Sequence, residues 1–401
     1  MSLNADEVTT SLPEVDLATL AGMRDPFGVL SVYVHVDPRQ QAAPRPAWAI
    51  AIANGLREVR ERARSEGTRA MRQAILDRLE SLEPEFSVLL DAREPGRGRA
   101  LFATVEAGEV RRLALQVPLP NRVVLDEAAY LTPLAAAVDR GRPVGLVAVS
   151  LAQARVLEQR MGMVEELMVF QLEPDTSEWR EMKGPAAANP ALAQQTAPQR
   201  DAFERRLEEH RSRLLDSVGS KLEEVATRRS WDRAVVVGDP RLADPLAELL
   251  ERGVAEVTRV DHTLHGLSAS ELAAALTAEI DETTRRSHVA LVTHARDAAL
   301  AGGEGAVGLP DVLSALDEGR VEHLLFDELR EHRGATTPDG RLVPEGVVPP
   351  GIREEELVPE SRLTARMLER TLATGGRITP LSQPAAEALT ASDGIAALLR
   401  W

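Results

Sequence analysis

At 401 residues the chain is too long for one ordinary hydrophobic core, and a soft prior of about 150 residues per domain points to two or three. A formal charge of −16 and only 3% aromatic residues exclude a general nucleic-acid coat and an extended base-stacking platform, so any RNA contact must be local and no DNA partner is expected. With no cysteine, a polar acidic start and no apolar run near the roughly 20 residues that span a bilayer, the expectations are a cytoplasmic protein without disulfides, thiolate metal sites or a membrane partner.

Along the first third, Val29, Leu30, Val32, Val34 and Val36 read as a mostly buried strand ending at Asp37-Pro38. A Pro-containing loop follows, then two helices, the first broken near Gly67. Their polar face is rich in arginine, with Arg57, Arg60, Arg62, Arg64, Arg69 and Arg72 interleaved with Glu58, Glu61 and Glu66. Such spacing fits first a solvated face laced with charge pairs, and as the alternative it offers Arg57, Arg60 and Arg64 as candidates for RNA contact. Residues 99–105 and 109–116 pair as strands turned at Ala107-Gly108.

In the middle third, residues 144–150, 155–159 and 167–172 read as strands, with Gly162 at a turn. Phe203, Leu207, Leu214, Leu215, Val218, Leu222 and Val225 recur at helical spacing, which predicts a long amphipathic helix over 202–225. An apolar strand at 234–237, a Gly238-Asp239-Pro240 turn, a helix at 242–250 and a strand at 254–260 continue an alternation that calls for an α/β layer fold.

The last third opens with Ser268 and Glu271 as a helix cap, and apolar positions from Leu272 to Val292 predict a long helix, broken along its length. In GGEGAVGLPDVLSALDEGRVEHLLFDEL (302–329) the glycines form a loop, Pro310 pre-sets a helix over Val312, Leu313 and Leu316, Gly319 stops it, and 321–326 form a buried strand. Residues 331–356, rich in Pro, Gly and charge, read as a mobile surface insertion. A helix over 363–372, a Gly375-Gly376 turn and a last strand at 395–399 close the chain.

Two of these stretches carry a resemblance. AVGLPDVLSALDEGRVEHLLF (306–326) resembles the segment that opens the third domain of archaeo-eukaryotic peptide release factors and their Pelota relatives. DGIAALLRW (393–401) is similar to the ending of that domain, with Asp393 where the family more often has glycine. The resemblance, to the bacterial Balon-like and host-attachment-protein-like branch, implies a three-domain α/β protein. Its parts are an N-terminal α/β domain over 1–139 at the place of the decoding domain, a ribonuclease-H-like middle domain over 140–265 with an exposed loop at 183–199, and an L7Ae-like α/β/α domain over 266–401.

It also implies function. Release factors read stop codons through an NIKS-type motif that is missing here, and they carry Gly-Gly-Gln at the tip of the middle-domain loop. In KGPAAANPALAQQTAPQ (183–199) the glycine pair is absent, although Phe203, Arg205, Arg206, His210 and Arg211 resemble the start of the helix after that tip. Ala and Pro cannot copy the backbone of Gly-Gly. The resemblance therefore implies a ribosome-contacting tip of Gln194, Gln195, Gln199, Arg200, Arg205 and Arg206, with Gln199 the first candidate for a catalytic role and Gln194 and Gln195 the alternatives. The expected function is binding to rRNA at the ribosomal A site in hibernation or rescue, as a monomer, with a translational GTPase as a further partner. Two alternatives stand beside it: a peptidyl-tRNA hydrolase using Gln199, and a non-ribosomal protein-binding scaffold. No cofactor or metal is expected, since His262-x-x-His265 lacks a third ligand.

Overall fold

Twelve consecutive residues, Arg24–His35, form the central strand β1, and its alternation decides two layers at once. Leu30, Val32 and Val34 point to one face, where β2 (Gly98–Thr104) adds Leu101 and Ala103. Helices α2 (Ala47–Ser65), α3 (Arg69–Ser81) and α4 (Glu83–Leu90) cover that face with Trp48, Ile52, Leu56, Ile75, Leu79 and Phe86. Each such side chain, fully buried, contributes roughly 1.5–3 kcal/mol. Tyr33 and Phe102 are fully buried on the other face, edge-to-face at 5.7 Å. These coordinates are a computed structural model, and they describe residues 16–37, 46–150, 152–171, 212, 215–262, 264 and 266–401.

The described residues divide into two compact units. One comprises the described parts of 1–142 together with 288–401, the other those of 143–287. The division differs from the expected boundaries at 139 and 265, because the first and last parts of the chain share a unit and 266–287 go with the middle.

In the first unit the N-terminal sheet runs β3-β2-β1-β4, all antiparallel, with β3 at Val110–Leu115 and β4 at Arg122–Ala128. Gly28 makes a bulge in β1 at φ +117, where an added Cβ would sit 2.8 Å from Leu125 Cδ1. Short α1 (Leu17–Ala21), strand β4 and helix α5 (Thr132–Arg140) lie outside the sequence expectations. Helix α5 is buried at Thr132–Ala137, and its nine residues are too short a run to stand out in the sequence.

The same unit holds the C-terminal sheet, order β10-β16-β11-β15, in which β11 and β15 are parallel. Its strands are β10 (Gly305–Val307), β11 (Val321–Asp327), β15 (Arg377–Leu381) and β16 (Ile395–Leu399). Leu324 and Phe326 face α10 (Leu309–Asp317) and α11 (Leu363–Ala373), whereas Leu325 faces Val292 and Ala295 of α9 (Thr277–Leu300). Helices on both faces make the α/β/α sandwich expected for this domain. Residues 331–356 are not a structureless insertion. They supply β12 (Gly334–Thr336) and β13 (Leu342–Pro344), which join β14 (Val358–Glu360) in a small antiparallel sheet, because Leu342 is buried in the α10–α11 core and anchors the run.

The second unit is one five-stranded sheet, order β7-β6-β5-β8-β9. Strands β5 (Val144–Val149), β6 (Gln153–Arg160) and β7 (Met163–Gln171) are antiparallel neighbours, whereas β8 (Arg233–Gly238) and β9 (Glu256–Val260) add in parallel to β5. Helix α6, described over 215–228, and α7 (Pro240–Leu250) cover one face, and α8 (Ala269–Ala275) covers the other through Leu272 and Ala273. The mixed order with helices on both faces is the ribonuclease-H-like layer expected for the middle of the chain. The predicted long helix from Ser268 is two: Leu276 caps α8 before α9 begins.

Candidate functional site

The tip candidates Gln194, Gln195, Gln199, Arg200, Arg205 and Arg206, and the loop 183–199 that carries them, lie outside the described residues. Their stems are inside. The chain leaves through edge strand β7 and returns in α6, whose Val218, Leu222 and Val225 are buried against the sheet. Phe170 of β7 packs into the same core, with the Lys221 ammonium 5.5 Å from its ring centroid, a cation–π contact that ties the outgoing strand to the returning helix.

All three arginines predicted for RNA contact fall on one side of α2, opposite the buried Trp48, Ile52, Leu56, Val59 and Ala63. Arg60 is engaged by Glu83 at 2.7 Å, whereas Arg57 and Arg64 are exposed and make no ion pair among the described residues. Other arginines of this domain are structural. Arg99, 4% exposed, donates from Nε to the Pro95 and Gly96 carbonyls (3.0 and 3.1 Å), from Nη1 to those of Leu89 and Asp91 (2.9 and 2.6 Å), and from Nη2 to that of Glu94. Burial lowers its pKa, yet five carbonyl partners hold it.

The two motifs that carried the family resemblance meet in space. Strand β10 pairs with β16 as Gly305↔Leu398, Ala306↔Ala397 and Val307↔Ala396, and Gly308 N donates to Ile395 O at 3.0 Å. Asp393 adopts φ +58, a left-handed backbone that glycine, asparagine and aspartate tolerate best. Its carboxylate accepts from Leu309 N at 3.3 Å, at the start of α10, and lies 3.6 Å from Arg330 Nη2. Its carbonyl accepts from His332 Nε2 at 2.7 Å. The aspartate at the glycine position thus keeps the turn and adds a helix cap.

The sequence carried no sign of a charged cluster on α11. Arg366 reaches Asp126 of β4, and Glu369 accepts from Arg24 Nη1 at 2.9 Å. The only local cue is the i,i+3 spacing of Arg366 and Glu369, and nothing links either to Asp126, 240 residues before Arg366. Among the described residues there is no group of three or more His, Asp or Glu placed to hold a metal, and His265 lies outside them.

Residues 143–275 match the family described as Bacterial archaeo-eukaryotic release factor family 5. Over that stretch the chain is similar to bacterial members of the archaeo-eukaryotic release factors. The uncharacterized protein YocB of Bacillus subtilis (strain 168) is 22% identical over 233 residues, which cover 58% of this chain and 85% of that one. Among solved structures, an archaeal translation termination factor, aRF1, is 18% identical with 96% of each chain covered and a TM-score of 0.25. Ribosome-bound archaeal Pelota is 15% identical with 98% and 95% covered and a TM-score of 0.39.

Proposed function

We propose that this protein is a translation factor that binds ribosomal RNA at the A site in hibernation or rescue and does not efficiently hydrolyse peptidyl-tRNA. The carrying observation is the pairing of a release-factor family match over 143–275 with a tip sequence, Thr196-Ala197-Pro198-Gln199, that lacks the glycine pair before its glutamine. A hydrolytic tip must present a glutamine on a backbone that brings its amide beside the ester. Proline at 198 fixes φ and removes an N–H, so a water held by the Gly-Gly-Gln geometry has no equivalent support here. Binding is a separate matter, since Gln194, Gln195, Arg200, Arg205 and Arg206 can still meet bases and phosphates, and Arg57 and Arg64 offer a second local cationic face on an acidic protein. A translational GTPase is the further partner in this reading, and the protein acts as a cytoplasmic monomer without cofactor, metal, DNA or membrane.

Co-sedimentation with 70S ribosomes tests the binding half: a protein that stays in the supernatant is the scaffold of the alternative reading. Peptide release from stalled complexes tests the other half. The run Gln199-Arg200 followed by Phe203, Arg205 and Arg206 favours the hydrolase alternative, which is established if release occurs and Gln199→Ala abolishes it.

A further inference from the structure

The first unit draws on both ends of the chain, and a closed set of charges joins them. On α11, Arg366 uses every nitrogen of its guanidinium: Nε reaches Glu360 at 3.2 Å, Nη1 reaches Glu369 at 2.7 Å and Nη2 reaches Asp126 of β4 at 3.0 Å. Arg362, one turn earlier, donates Nη1 to the other oxygen of Asp126 at 3.0 Å. Glu369 in turn accepts from Arg24 of β1 at 2.9 Å, and Arg24 also reaches Glu127 of β4 at 3.3 Å. The ring therefore crosses twice between the N-terminal sheet and α11. Tyr130, just after β4, adjoins it: the guanidinium carbons of Arg122 and Arg362 lie over its ring, 5.4 and 5.7 Å from the centroid.

The pairs around Arg366 are not surface pairs of the kind that contribute little, unlike Arg24–Glu127, whose side chains are 52% and 62% exposed. The side chains of Arg366 and Glu369 are 7% and 9% exposed and that of Asp126 is 19% exposed, so each has given up most of its water and depends on the others. Removing Arg366 takes the ion-pair partner from Glu360 and leaves Asp126 and Glu369 with one cation each, Arg362 and Arg24. A guanidinium that aims three nitrogens at three carboxylates also demands one geometry, which a point charge does not.

We propose that this ring is a clamp that makes the described parts of 1–142 and 288–401 a single rigid body that opens as one, with Asp126 and Arg366 as its two jaws. Whatever surfaces the two segments offer are then presented at one fixed spacing. The proposal concerns the fold's mechanics and stands whether or not the protein binds ribosomes.

Hydrogen exchange of the full chain, followed peptide by peptide, tests it with Asp126→Asn, Arg366→Met and the double variant. Either single substitution is expected to speed exchange at least tenfold in both β4 and α11, leaving β5 and β8 unchanged, and the double variant to exceed the worse single by no more than twofold. Faster exchange confined to the substituted element, or single effects that multiply in the double, overturns the clamp. Should Arg366→Met fail to fold, Asp126→Asn decides alone, since unchanged exchange in α11 overturns the proposal.

Discussion

His323 Nε2 lies 2.8 Å from Thr379 Oγ1, a side-chain bond that ties β11 to its parallel neighbour β15 at the edge of the C-terminal sheet. His323 is 1% exposed, and burial, reinforced by the positive charges of Arg377 and Arg142 against the opposing pull of Asp139, lowers its pKa to about 3. His288, the other titratable neighbour, lowers it further. The folded protein therefore keeps this imidazole neutral where an unfolded chain would bind a proton near pH 6.5. Stability is expected to fall as pH drops from about 6.5 towards 3, by about 1.4 kcal/mol per pH unit from this group. His332, also depressed by burial, works in the same direction, whereas Glu331 and Glu369, raised by burial, work against it. Urea midpoints measured across this window should flatten in His323→Gln; an unchanged slope would remove His323 from the account.

Asp25, 3% exposed, accepts four backbone N–H groups, those of Phe27 and Gly28 at 2.8 and 3.2 Å and those of Glu106 and Ala107 at 2.8 and 3.0 Å. It thereby ties the β1 bulge to the β2–β3 turn. Asp25→Ala leaves these donors without their acceptor and should cost roughly 3 kcal/mol in denaturant unfolding, with Asp25→Asn milder because one acceptor oxygen survives. A loss under about 0.5 kcal/mol for the alanine variant counts against this role.

Strand β10 runs so close to α9 that a Cβ on Gly305 would lie 2.4 Å from Ala299 N and 2.5 Å from Ala295 O. Neither backbone atom can rotate away. Gly305→Val should therefore destabilise by about 2 kcal/mol or more, read as a lowered thermal midpoint, and normal stability would mean that the strand and helix can separate at no cost.

At Asp393 two effects oppose each other. Asp393→Gly relieves a left-handed backbone strain of about 1 kcal/mol but loses a cap to α10 of similar size, and so should be nearly neutral. Asp393→Ala loses the cap and keeps the strain, and Asp393→Val adds a β-branched clash. The expected order of thermal midpoints is wild type close to Gly, then Ala, then Val. Alanine above glycine would contradict it.

If Arg57 and Arg64 of α2 neutralise phosphates, Arg57→Ala with Arg64→Ala should weaken ribosome binding and reduce the slope of log affinity against log salt by about 1 to 2. An identical slope assigns the face to solvent.

By itself the sequence determined the elements whose signal is local: the alternation that makes β1, the Gly-Pro-apolar-Gly order that makes α10, the capping box at Ser268 and Glu271, and the motifs at 306–326 and 393–401 that carried the resemblance. Local spacing carries these because strand alternation, helix hydrogen bonds and caps are each set by residues a few positions apart, even where a strand's ladder partners are distant. Only the tertiary structure decided the rest. Helix α5 is too short a run to stand out, and 331–356 look like loop until Leu342 finds the α10–α11 core. Asp25 becomes an anchor only when the β2–β3 turn arrives beside it, and Arg366 meets Asp126 across 240 residues. Such pairings leave no trace in sequence order, because burial and charge complementarity act through space between segments whose separation along the chain is arbitrary.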